Sequence, residues 1–165
     1  MKVVSIYDCE DARGLIKAAV RDDDPVVVLE NEMMYSVPFD VSDEIMDKDF
    51  LIPIGRAKIM KEGTDITITG HAKIVGHCVE AAEILEKEHG ISAEVINLRS
   101  IRPLDRNSII NSVKKTNRIM SVEEGWPQHG VGAEISAIIM ESDGFDYLNT
   151  SFERVTSAEV PIPYA

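Results

Sequence analysis

The stretch DITITGHAKIVGHCVEAAEILEKEHGISAEVINLRSI (65–101) decides the fold of this chain. It opens with an alternation of β-branched residues that is typical of a strand. A helical period follows, carried by Val75, Cys78, Val79, Ala82 and Leu85. Gly90 can end this helix because glycine readily adopts the left-handed conformation, and residues 93–101 then resume a strand pattern. The order strand, helix, strand predicts a βαβ unit with two parallel strands.

The same alternation continues on both sides of this stretch. Patterns typical of strands recur at 2–8, 26–30, 118–124 and 152–159. Helical patterns lie between them, after possible N-caps at Asp8 and Asp105 and again at about 132–142. Strands that alternate with helices of ten to fourteen residues predict an α/β fold with a mostly parallel sheet.

The N-terminal βαβ unit stands apart from the rest of the pattern. It occupies about residues 1–36 and is followed at 37–47 by a stretch without regular period, which predicts a linker. One such unit is too small to bury a core of its own. We therefore interpret residues 1–36 as the end of a larger domain and 48–165 as a second domain. Exposed apolar faces on the first unit would then favour self-association.

The composition narrows the class of protein. A hydrophobic fraction of 44% can build a core, and the net charge of −12 argues against nucleic acid as a partner. Cys9 and Cys78 form no disulfide framework. No apolar run reaches the length of about 18 residues that a membrane span needs, and no signal or transit peptide is evident.

The acidic residues are concentrated in one segment. Residues 21–50 hold ten acidic and two basic residues, which accounts for −8 of the total charge. Within this segment, RDDDP (21–25) follows the first predicted helix, where the last carbonyl groups lack intrahelical partners. Two interpretations stay open from the residues alone: a solvated acidic turn, or a cation site with oxygen ligands.

Three other patterns allow only weak functional interpretations. The loop GWPQHGVGAEI (125–135) lies between a strand and a helix but lacks the third glycine of a dinucleotide-binding fingerprint, so a tight turn is favoured. His71 and His77 are poorly spaced for a metal site, even with the adjacent Cys78. Glu123 and Glu124 are neighbours on a strand and point to opposite faces, which excludes an acid/base pair.

Longer motifs resemble a known family. They run along the whole chain and are LENE (29–32), FLIPIGRAKI (50–59), EVINLRSIRPLD (94–105), SVKKTNR (112–118), SVEEGWPQHGVGAEI (121–135) and VPIPYA (160–165). Together they resemble the beta subunits of the thiamine-diphosphate-dependent 2-oxo acid dehydrogenases. SIRPLD and GWPQHG look closer to the pyruvate enzymes than to the branched-chain enzymes.

The resemblance implies an architecture and an assembly. It implies a three-layer domain like the transketolase C-terminal domain, preceded by the last βαβ unit of a pyrimidine-binding domain. It also implies two alpha and two beta chains, with thiamine diphosphate bound between them, and docking to a dihydrolipoyl acetyltransferase component. The family's catalytic glutamate and a final helix would lie outside this sequence. We therefore expect no catalytic or cofactor-binding residue here.

One site of the family has matching positions in this chain. A potassium ion is held there largely by main-chain oxygens at a helix end, and the matching residues are Ala19, Val20, Asp22 and Asp24. Relatives often have asparagine where Asp24 stands, but a carbonyl ligand would survive that difference. One further ligand would lie outside this sequence.

The function implied by the resemblance is a part of the oxidative decarboxylation of pyruvate, with transfer of the acetyl unit to lipoyl groups. The chain alone is expected to be inactive and to supply subunit interfaces and a docking surface. Two alternatives stay open: a branched-chain 2-oxo acid dehydrogenase, and a non-catalytic binding or scaffold module of the same fold. The implied compartment is the mitochondrial matrix or, for a bacterial enzyme, the cytoplasm.

Overall fold

The computed structural model describes residues 1–162. The strands are β1 (Lys2–Ser5), β2 (Val26–Leu29), β3 (Lys58–Lys61), β4 (Ile66–Gly70), β5 (Ala93–Asn97), β6 (Ser100–Arg102), β7 (Ile119–Val122) and β8 (Glu153–Val155). The helices are α1 (Cys9–Val20), α2 (Asp43–Met46), α3 (Ile74–His89), α4 (Arg106–Thr116) and α5 (Val131–Met140), with 3₁₀ turns at Glu32–Met34 and Phe145–Tyr147. Among the residues described, no helix is both long and apolar enough to cross a membrane.

The larger sheet has the order β3-β5-β4-β7-β8. Its strands are parallel except β3, which runs antiparallel to β5 at one edge. All five residues of β5 are buried, as expected for a parallel strand covered on both faces. One apolar core joins this sheet to α4 and α5, and a second joins it to α3. The predicted three-layer α/β fold with a mostly parallel sheet is confirmed.

The smaller sheet has the order β2-β1-β6. β1 and β2 are parallel and α1 connects them, so the predicted N-terminal βαβ unit is present. The prediction of one continuous strand at 93–101 is wrong. Arg99 has a φ of 57°, and this left-handed residue breaks the strand. β6 therefore leaves the larger sheet and pairs antiparallel with β1.

Residues 31–50 are more ordered than the sequence pattern predicted. They contain a 3₁₀ turn at Glu32–Met34 and the four-residue helix α2, each with a side-chain N-cap from Asn31 or Ser42. β3 was also not predicted, because its short sequence KIMK shows no clear period. An edge strand of four residues leaves little signal for pattern analysis.

The predicted helix ends are confirmed at three positions. Asp8 accepts a hydrogen bond from the Asp11 amide, and Asp105 accepts one from the Ser108 amide. Gly90 ends α3 with a φ of 65°, where a Cβ atom would be strained.

The described part of the fold leaves two apolar surfaces uncovered. On the α3 side of the larger sheet, Ile68, Met120 and Val155 line an open groove of about 700 Å³. In the smaller sheet, Val27 and Leu29 face away from α1 and are 38% and 45% exposed. Parallel strands are normally covered on both faces, so both surfaces are unusual for this fold class.

Candidate functional site

The C-terminal end of α1 holds the four residues predicted to bind potassium. The helix ends at Val20, and the chain then turns through Asp22 and Asp24 into β2. Lys2 of β1 places its Nζ atom 2.7 Å from Asp22 Oδ2 and 3.3 Å from Asp24 Oδ2. The hydrogen bond from Lys2 lowers the pKa of Asp22. The carboxylates of Asp22 and Asp24 are thus already paired with the ammonium group of Lys2.

The main-chain oxygens of this turn are less occupied than its carboxylates. The Ala19 carbonyl accepts a hydrogen bond from the Asp22 amide at 3.3 Å. Within residues 1–162, the carbonyls of Val20, Asp22 and Asp24 accept no hydrogen bond from a main-chain amide. Unpaired carbonyls at a helix end carry partial negative charge. The main-chain carbonyls of this turn are therefore more available to a cation than its carboxylates.

A carboxylate of the protein itself occupies the glycine-containing loop before α5. The Glu123 carboxylate accepts hydrogen bonds from the amides of Val131, at 2.8 Å, and Gly132, at 3.1 Å. A Cβ atom on Gly130 would lie 2.5 Å from Glu123 Oε2, so glycine is required for this approach. Glu123 occupies the amides that a diphosphate would need. This loop therefore does not fit the diphosphate of a cofactor.

Glu124 and His71 lie near this loop but have separate partners. Glu124 forms an ion pair with Lys73 at 2.9 Å, while Glu123 turns inward, as their adjacent positions predicted. His71 follows β4, and its Nδ1 lies 3.2 Å from the Ser5 hydroxyl. Burial lowers the pKa of His71, although the charges of Glu123 and Glu124 act in the opposite direction.

His77 and Cys78 are neighbours in the sequence but lie in different environments. His77 is exposed, whereas Cys78 is buried behind it. Residues 1–162 contain no group of three or more His, Cys, Asp or Glu side chains that could hold a metal ion. Burial raises the pKa of the Cys78 thiol to about 11, which keeps it protonated at neutral pH.

A buried polar network at the N-terminal end of α1 was not predicted from the sequence. Asp11 is fully buried and accepts hydrogen bonds from Arg99 Nε at 2.5 Å and from Asn97 Nδ2 at 2.7 Å. The Glu10 carboxylate accepts hydrogen bonds from Arg99 Nη2 and Lys58 Nζ, both at 2.5 Å. The network joins α1 to the segment between β5 and β6. It therefore holds the N-terminal unit against the larger sheet.

The ionisation of this network reflects its uneven burial. Burial raises the pKa of Asp11, and the neighbouring Arg99 guanidinium only partly opposes this. Burial also acts to raise the pKa of Glu10, but hydrogen bonds from Lys58 and Arg99 outweigh it, so the pKa of Glu10 is lowered. Arg99 has a φ of 57°, a costly conformation for a residue with a side chain. The left-handed turn at Arg99 aims its side chain back at α1.

The larger sheet matches a known family of domains. The family model described as "Transketolase, C-terminal domain" matches residues 55–165, which is more than half of the chain. This chain belongs to the transketolase C-terminal domain family. The match begins just before β3 and includes every strand of the larger sheet, so the family assignment rests on the part of the fold with the largest core.

Curated relatives extend the similarity over all 165 residues. The chain is 58% identical to "Pyruvate dehydrogenase E1 component subunit beta, mitochondrial" of Dictyostelium discoideum and 60% identical to the protein of the same name from Bos taurus. It is 61% identical to "Pyruvate dehydrogenase E1 component subunit beta-1, mitochondrial" of Oryza sativa subsp. japonica. The whole chain is covered in each case, but it spans only 46%, 46% and 44% of these relatives.

A solved structure has the same fold. The chain described as "Split gene transketolase, inactive beta4 tetramer" superposes with a TM-score of 0.71 at 25% identity. The match covers 94% of this chain and 47% of that chain. The coverage includes most of the N-terminal unit as well as the family domain. The resemblance inferred from the motifs is thus confirmed by the curated relatives, and the fold it implies is confirmed by the solved structure.

Proposed function

We propose that this chain forms part of the beta subunit of a pyruvate dehydrogenase decarboxylating component. The observation that carries the proposal is the identity of 58–61% over all 165 residues to proteins with that name. The parent reaction is the oxidative decarboxylation of pyruvate with transfer of the acetyl unit to a lipoyl group, leading to acetyl-CoA and CO₂. When bound, thiamine diphosphate supplies the electron sink for the loss of CO₂.

The residues of this chain would contribute structure to that reaction. We assign no catalytic residue and no cofactor ligand to it, and the glycine-containing loop before α5 is filled by Glu123. We infer that the chain supplies surfaces that contact the alpha subunit and the dihydrolipoyl acetyltransferase component. We also propose the division into 1–36, 37–47 and 48–165, with the first segment ending a pyrimidine-binding domain.

A substrate comparison tests the proposed reaction. The gene that encodes this chain in its full length would be expressed with its alpha partner and assayed with pyruvate and with branched-chain 2-oxo acids. We expect preference for pyruvate, and no turnover by residues 1–165 alone. Preference for a branched-chain substrate would overturn the proposed substrate. Turnover by residues 1–165 alone would overturn the structural role.

We also propose that the C-terminal end of α1 binds potassium through main-chain oxygens at Ala19, Val20, Asp22 and Asp24. The support is that the carbonyls of Val20, Asp22 and Asp24 accept no hydrogen bond from a main-chain amide within residues 1–162. The Ala19 carbonyl is included through the family resemblance. Thermal unfolding in KCl would be compared with choline chloride at equal ionic strength. We expect a higher midpoint in KCl. A shift that is equally large in NaCl would contradict selectivity for potassium, and no shift would contradict the site.

The compartment is a further part of the proposal. Each of the relatives compared above carries "mitochondrial" in its name, which supports the mitochondrial matrix for this protein. A fluorescent fusion of the full-length gene product would test this in the source cell. Signal that overlaps a matrix marker is expected, and diffuse cytoplasmic signal would contradict it.

A further inference from the structure

A groove with basic rims lies between the smaller sheet and α5. It has a volume of about 530 Å³, and Val3, Leu104 and Ile138 contribute apolar side chains to its lining. Arg102 and Arg106 line it as well. β6 carries Arg102 opposite Val3 of β1, and α4 begins at Arg106, so three neighbouring elements position these side chains.

Both arginines carry a charge opposite in sign to the net charge of the protein, which is −12. Of the 17 Lys and Arg residues, most form ion pairs or donate hydrogen bonds to carbonyls, as Lys2 and Arg154 do. Neither Arg102 nor Arg106 forms an ion pair or a side-chain hydrogen bond with any residue in 1–162. Two unpaired guanidinium groups therefore face one groove, with Glu134 as the single carboxylate in its lining.

His129 contributes an imidazole side chain to the same groove. It lines the groove and is exposed, with a φ of 61° immediately before α5. A non-glycine residue in this conformation costs free energy, and such residues cluster at functional positions. The two guanidinium groups, against one carboxylate, give the groove a charge opposite in sign to that of the protein as a whole.

We propose that this groove docks a segment of a partner polypeptide that carries carboxylates on both sides of an apolar side chain. Arginine forks bind carboxylates in a bidentate manner, and the apolar floor requires a side chain that a free anion lacks. A second copy of this chain as the occupant is an outcome of the test below. This inference rests on the proposed function, in which the chain supplies contact surfaces within a pyruvate dehydrogenase assembly.

Peptide binding to residues 1–165 tests the groove. The probe is a fluorescein-labelled peptide with the sequence Glu-Leu-Glu-Asp-Leu-Glu, and anisotropy reports its binding. The double variant R102A/R106A is expected to weaken binding at least about tenfold, because each lost charge-assisted pair contributes substantially to affinity. The matched control is R21A/K48A, which removes the same charge from two exposed residues outside the groove. It is expected to change affinity less than about twofold.

A second variant and a second probe test the apolar part of the groove. Val3→Thr keeps the shape of the side chain but adds a hydroxyl, and it is expected to weaken the leucine peptide while both arginines remain. A peptide with serine in place of leucine, and inorganic phosphate, are expected to bind more weakly to the unchanged chain. Circular dichroism and thermal unfolding would establish that each variant is folded.

Four outcomes would overturn the proposal. They are no binding of the leucine peptide, equal weakening by the two double variants, binding of phosphate or the serine peptide as tight as that of the leucine peptide, and loss of self-association in R102A/R106A. The last outcome would assign the groove to a second copy of the chain. None of these outcomes affects the substrate preference of the full-length enzyme, so failure of this proposal is distinguishable from failure of the proposed function.

Discussion

The two ends of α1 carry similar acidic residues in opposite environments. At the N-terminal end, Asp11 is fully buried and is held by Arg99 and Asn97. At the C-terminal end, Asp24 is exposed, and Asp22 meets Lys2 near the surface. A charge removed from water depends on its partners, whereas an exposed charge is screened by water and salt. The same residue type is therefore held by buried partners at one end of α1 and by a surface ion pair at the other.

Of the substitutions at the two ends of α1, Asp11→Ala should cause the largest loss in free energy of unfolding. It removes the buried acceptor of Arg99 Nε and leaves the guanidinium with Glu10 alone. Removal of one member of a buried pair typically costs about 3–5 kcal/mol. Urea unfolding of residues 1–165 would measure the loss in free energy of unfolding. Asp8→Ala is the matched control, because it removes only the N-cap of the same helix and should cost about 1 kcal/mol. Equal losses in the two variants would contradict the assigned role of the buried pair.

Sequence patterns predicted the helices of this fold better than the network that joins its parts. The periods of α1, α3 and α4 and their caps at Asp8 and Asp105 are local features, so a single sequence reveals them. The contact between Asp11 and Arg99 spans 88 residues and leaves no local pattern. Arg99 was included in a continuous strand because its left-handed φ follows from tertiary contacts rather than from residue type.

The candidate potassium site shows a different limit of sequence reasoning. Main-chain carbonyls can be ligands whatever the side chains are, so the sequence alone predicted only an acidic turn and left its function open. The four residues were assigned through the family resemblance. The ion pair of Lys2 with Asp22 could not be predicted, since it brings together β1 and the end of α1 across 20 residues.

The substitution Glu10→Gln should produce a smaller effect that depends on pH. Glu10 contacts Lys58 and Arg99 at the edge of the buried network, and its loss at pH 7 should cost about 1 kcal/mol. The pKa of Glu10 is lowered in the folded chain, so its contribution is present above its unfolded value of 4.5. The contribution is lost as pH falls through the lower folded pKa.

The measurement is the free energy of unfolding of the unchanged chain and of Glu10→Gln at several pH values between 7 and 3.5. The difference between the two proteins should narrow as the solution becomes more acidic. A difference that stays constant over this range would show that the carboxylate charge of Glu10 does not contribute. Asp11→Ala provides the comparison, because its loss in free energy of unfolding also includes the removal of the Asp11 carboxylate from the buried Arg99 guanidinium.

The substitution Lys2→Ala should produce the smallest effect on stability. Its ion pairs with Asp22 and Asp24 lie at the surface, where such pairs contribute little and are screened by salt. We expect no change in the free energy of unfolding outside experimental error at moderate salt. Removal of Lys2 frees two carboxylates beside the candidate potassium site, so the shift of the unfolding midpoint by KCl should increase. A large loss of stability in Lys2→Ala would instead show that both ends of α1 depend on their ion pairs, and the contrast between them would fail.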